Sequence, residues 1–223
     1  MPDTSSPFYP YECICDCNGM LGADETGKKL QDYLLDLPLP GYTPPDNNEY
    51  PRCRLMKRLY YDGARPLEKP LPTPEEKLSL VYDPERPADP PGDRGYRFFN
   101  ISYPQQAQLS GQTIIRMYYG RTLAVTSLRA EQAFVFDILS SVAHDTNTRS
   151  TALSRTYSIA MDILRALNGV NISGVGGFYF DHRVHNDCEC RPINDDGMNV
   201  GYRLVLAYTV MGARQGAEDG NTF

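Results

Sequence analysis

The sequence predicts an α+β protein: an antiparallel sheet packed on one long helix, with an extended proline-rich N-terminal arm. Three observations carry this reading. Seventeen of the eighteen prolines lie at or before Pro104, and each fixes φ and removes a backbone donor, so the first part of the chain resists long helices and central strands. Residues 154–169 carry the clearest helical period in the chain, and the segments around them alternate apolar and polar positions as half-buried strands do. The boundary falls near residue 110, with an extended arm over 1–110 and a compact domain over 111–223, large enough for one core.

Within the arm, residues 24–37 (DETGKKLQDYLLDL) place Leu30, Tyr33, Leu34 and Leu37 on one face, with Asp24 as a cap and Pro38 as a stop. This predicts a short amphipathic helix. The runs 53–61 (CRLMKRLYY), 77–82 (KLSLVY) and 96–103 (YRFFNISY) read as β-compatible edge or docking strands. PLPTPEEK (70–77) and DPERPADPPGDRG (83–95) read as loop, because proline excludes the interior of helices and central strands. An arm of this kind gains little by packing on itself and is expected to drape over its own domain or over neighbouring subunits.

In the second part, residues 112–127 (QTIIRMYYGRTLAVTS) hold two β-rich stretches around Tyr119, Gly120 and Arg121, compatible with a hairpin or a bulged strand. Residues 133–143 (AFVFDILSSVA) read as a strand with Phe134, Phe136 and Ile138 on one face. In the helix over 154–169, Tyr157, Ala160, Met161, Leu164 and Leu167 form the apolar stripe, and Ser158, Asp162 and Arg165 form the opposite one, ending at Asn168 and Gly169. Residues 170–184 and 202–211 are strand candidates separated by the turn-rich NDDGMNVG. The GVGG at 174–177 precedes FYF rather than a helix, so it reads as a bulge or a close backbone approach, not a phosphate loop.

Composition narrows the function. The hydrophobic fraction of 41% and sixteen tyrosines describe a folded protein with wet, aromatic surfaces. With 22 basic against 28 acidic side chains, the net charge of −6 disfavours general nucleic-acid binding. No apolar run is long enough to span a bilayer, and the first residues lack the pattern of a secretion signal, so a soluble protein made in a cytosol is expected. All five lysines occur by Lys77, leaving ten arginines against eleven acids from residue 104 onward. Arginine makes planar, bidentate pairs that survive partial burial, which points to subunit contacts. Arg149, Arg155 and Arg165 are the candidates for these.

His182, His185, Cys188 and Cys190 are weak metal-ligand candidates, because thiols one residue apart point to opposite faces of an extended chain. A polar loop following a strand is the simpler reading of that stretch. Cys13, Cys15, Cys17, Cys53, Cys188 and Cys190 are disulfide candidates, reduced in a cytosol and able to pair in an oxidising medium. No nucleophile elbow and no convergent acid, base and nucleophile set is legible, so no enzyme is expected.

The proline-rich arm, the AFVFDILSS strand, the SRTYSIAMDILRALNG helix and the strands GVGGFYF and YRLVLAYTV together resemble the tail terminator, or tail-completion, proteins of tailed bacteriophages over roughly residues 112–212. The resemblance implies a virion protein made in the host cytoplasm, forming a ring, commonly of six subunits, at the head–tail junction. It also implies tail-tube, sheath and connector proteins as partners, DNA passing through the lumen, no membrane, no enzymatic site and no obligatory cofactor. The long arm departs from the compact pattern of that family. A head-completion or minor capsid protein, and a Cys/His metal- or redox-responsive binding protein, are the alternatives.

Overall fold

The computed structural model describes residues 23–63, 65–85, 95–100, 113–126, 129–145, 154–172, 175–195 and 199–211. The fold is mixed α+β: a seven-stranded sheet with several short helices, rather than one long helix, packed against it. Strand β1 is Phe98–Phe99, β2 Ile114–Thr126, β3 Arg129–Ser141, β4 Asn171–Ile172, β5 Gly176–Tyr179, β6 Glu189–Asp195 and β7 Asn199–Met211. The order is β1-β2-β3-β7-β5-β4, and β6 shares the same edge of β7 with β5. All pairings are antiparallel except β1 with β2.

The helices are α1 Ala23–Leu35, α2 Pro51–Tyr60, α3 Pro74–Leu78, α4 Val142–Asp145 and α5 Arg155–Leu167. Helix α1 matches the predicted amphipathic segment. The run at 53–61 forms a helix instead of a strand: Pro51 supplies a preset φ at the first turn, and the core residues Leu55, Met56, Leu59 and Tyr60 recur at helical spacing. The run at 77–82 is likewise helical at its start. There Thr73 and Glu76 close a capping box around Pro74, which satisfies two of the donors left over at a helix start. Only a bridge from Val81 to Phe98 keeps its β character.

One core joins the parts. Ile115 and Met117 of β2, Phe134, Phe136 and Ile138 of β3, and Leu204, Leu206 and Tyr208 of β7 form the inner face of the sheet. Ile159, Ile163 and Leu167 of α5 pack on it, together with Leu30 and Leu34 of α1 and Leu55 and Leu59 of α2. Each such buried side chain contributes about 1.5–3 kcal/mol. Helix α5 is thus shared between the sheet and α2, and Tyr33 of α1 ties down its last turn by donating to the Ala166 carbonyl at 2.9 Å.

Strand β2 runs continuously, with an irregularity between Tyr119 and Thr122, so the bulged strand holds and the hairpin alternative does not. Residues 189–195, within the stretch read as a polar loop and turn-rich linker, form β6. Among the described residues this strand borders only β7, where Pro192 is tolerated because an edge strand needs no donor on its outer side. Strands β3 and β7 approach so closely at Gly201 that an added Cβ would lie 1.8 Å from the Ile138 carbonyl oxygen. Gly201→Ala is therefore expected to cost about 1–3 kcal/mol by overpacking, measured as a lower denaturation midpoint at unchanged slope.

Candidate functional site

Two charged constellations stand out. The first is a seam between α2 and α5. Arg54 and Arg58 lie one turn apart on α2 and put their Nε atoms 3.0 Å and 2.9 Å from the two carboxylate oxygens of Asp162, which is 0% exposed. Arg165 adds a third, more distant cation at 4.0 Å. The ion pairs are close, but these atoms form no aligned hydrogen bonds, so Coulomb attraction alone offsets desolvation. Burial wins: it lifts the Asp162 carboxyl to about 6 against the pull of all three arginines. The polar stripe of α5 is thus split: Ser158 and Asp162 are buried, with Asp162 held by the basic residues of α2, whereas Arg165 is exposed.

The seam continues at the C-terminal end of α2. Arg97, 0% exposed, donates to the Leu59 carbonyl at 2.6 Å and forks onto Asp62 at 3.0 and 2.5 Å. Arg155, at the start of α5, donates to the carbonyls of Arg58 and Tyr61. Two guanidiniums thus cap the unpaired carbonyls and negative end of one helix. Burial lowers the Arg155 guanidinium to about 10. This seam is structural: its buried groups, Arg58, Arg97, Arg155 and Asp162, all face other parts of the same chain.

The second constellation lies on the sheet face turned away from the helices. Register places Arg116 of β2, Asp137 of β3, Arg203 of β7 and Arg191 of β6 in one row across four strands. Arg203 grips Asp137 through Nε at 2.7 Å and Nη2 at 2.8 Å, and Tyr118 donates to the same carboxylate at 2.9 Å. That grip raises the Arg203 guanidinium above its ordinary value. Arg191 leans on Glu189 through Nε at 2.6 Å, with both side chains half-exposed. The four residues of the row, with Leu139, Pro192, Ile193 and Asn194, line a groove of about 330 Å³. An array of planar donors of this kind is suited to carboxylates or other oxyanions.

A family model named YomW matches residues 53–208, more than half of the chain. The chain belongs to the YomW family. The name is phage-associated, and the protein is accordingly phage-related. The YomW span starts in α2 and ends in β7, so it takes in both the seam and the arginine row. No curated protein and no solved structure matches the chain.

The YomW fold disperses the candidates read from the sequence. Arg155 is an internal helix tie, not an exposed subunit contact, whereas Arg165 is 59% exposed. Arg149 lies outside the described residues, as do Cys13, Cys15 and Cys17. His182 points into solvent, and His185 is buried, with Nε2 at 3.0 Å from the Arg121 carbonyl and Nδ1 accepting from the Asp187 N–H. That network assigns the proton to Nε2 and occupies both ring nitrogens, so His185 locks the loop onto the bulge of β2 instead of offering a metal ligand. Cys188 donates toward the Tyr179 carbonyl, and Cys190 packs on the core. No group of three metal-ligating side chains converges among the described residues. Cys53, Cys188 and Cys190 are free, and burial raises all three thiols. The arginine row escaped the sequence reading because it needs the strand register; its one linear sign was the arginine-only cation usage.

Proposed function

We propose that this YomW-family chain is a virion structural protein of a tailed phage that assembles into a ring at the head–tail junction. In this reading the ring caps the tail tube, joins it to the connector and lets DNA pass through its lumen. The observation that carries the reading is the phage-associated family match, joined to the resemblance of residues 112–212 to tail terminators. Two physical features support it. The net charge of −6 favours a lumen that repels DNA instead of gripping it. The outer sheet face presents an arginine row and a groove where a neighbouring subunit could lie, which suits the unlike, head-to-tail contacts of a ring.

The test is native mass spectrometry of the full chain with and without reductant, followed by incubation with purified tail tubes. A closed ring, expected as a hexamer, that caps tube ends is the predicted outcome. A protein that stays monomeric at micromolar concentration and leaves tube ends bare would overturn the proposal.

A further inference from the structure

We infer that the groove lined by Arg116, Arg203 and Arg191 receives the acidic amino-terminal segment, residues 1–22, of a neighbouring copy of this chain. The inference deepens the ring reading and rests on it. Arg203 and Arg191 are directly opposed on adjacent strands, and like charges in that position repel. Asp137 offsets the charge of Arg203 through both of its oxygens, so the remaining call for an anion falls on Arg191. Glu189 engages Arg191 only at Nε, although a guanidinium carries five donors. An added carboxylate beside Arg191 would engage its remaining donors.

The occupant follows from charge and reach. Residues 1–22 carry Asp3, Glu12 and Asp16 and no lysine or arginine, whereas the carboxy-terminal residues 213–223 set Glu218 and Asp219 against Arg214. Twenty-two extended residues span up to roughly 70 Å, enough to reach an adjoining subunit. Helix α1 begins on the helix-bearing side, where the Gly27 N–H meets the Tyr119 hydroxyl, so a chain's own groove lies on the far face of its sheet. Pro192 sits mid-way along the edge strand β6 without a donor, which favours capture by side chains over addition of a full strand.

The test places the photo-crosslinker benzoylphenylalanine at position 11, in place of Tyr11, in a tagged full-length chain co-expressed with an untagged one. Irradiation is expected to join tagged to untagged copies, with the crosslink mapping to β6 or to β2 near Arg116. Arg191→Glu, at a half-exposed position, should lower that yield about tenfold, the effect of about 1.4 kcal/mol. Combining it with Glu12→Arg and Asp16→Arg should restore the yield. Crosslinks confined to single copies, mapping elsewhere, or indifferent to Arg191→Glu would overturn the inference. Native mass on the same samples separates the two claims: an intact ring without groove crosslinks sinks the docking alone, whereas a monomer sinks the ring as well.

Discussion

Replacing Asp162 with alanine is expected to destabilise the protein by about 3–5 kcal/mol at neutral pH, because it leaves the buried Arg58 and its neighbour Arg54 without their counter-charge. Asparagine should cost less than alanine, since it keeps the volume and an acceptor oxygen between the helices. The pH dependence separates charge from packing. Burial raises the carboxyl from 3.8 to about 6 in the folded state, so the native protein holds this proton more tightly than the unfolded chain does. Its contribution to stability is fully present below the unfolded value and is lost as pH rises through about 6. The change is on the order of 3 kcal/mol. Urea denaturation between pH 4 and 7 should show stability falling with pH from this group, and Asp162→Asn should remove that component of the slope. An unchanged slope, or an alanine cost under 1 kcal/mol, would show that the seam does not hold α2 to α5.

The buried position of Asp162 shows why part of this fold was hidden in the sequence. Taken alone, α5 has a polar stripe of Ser158, Asp162 and Arg165, and a polar stripe ordinarily faces water. The buried role follows only once residues 51–60 are known to be helical, because Arg54 and Arg58 then fall one turn apart on a matching face. The apolar residues of that segment were compatible with either period, and Pro51 gave the deciding sign as a helix-start residue. Strand β6 was hidden for the opposite reason: its charges and Pro192 resemble a loop until an edge position accounts for both. By contrast α1, α5, β3 and β7 were legible as elements, because each carries its period within one segment. The stripe read for α5 nonetheless missed its fully buried Ile159 and Ile163, and Tyr157, Met161 and Leu164 are only partly buried. The arginine row could not be read linearly, since its four members come from four strands spread over residues 116–203.

The second large effect is expected at Arg97. Its guanidinium is wholly buried and serves two clients at once, the Leu59 carbonyl at the end of α2 and both oxygens of Asp62. Arg97→Ala should therefore cost about 3–5 kcal/mol, through the broken ion pair and the carbonyl left unsatisfied. Lysine should recover only part of this, because one ammonium cannot reproduce the fork on Asp62. Asp62→Ala should cost less than Arg97→Ala, since Asp62 is 38% exposed and its loss leaves Arg97 still bonded to Leu59. A double-mutant cycle then isolates the pair from the carbonyl contact. Amide exchange provides the local readout: in Arg97→Ala the last turn of α2 should lose protection ahead of β3 and β7. If instead all elements lose protection together and the two single variants cost the same, Arg97 acts only through Asp62 and the capping role assigned to it is wrong.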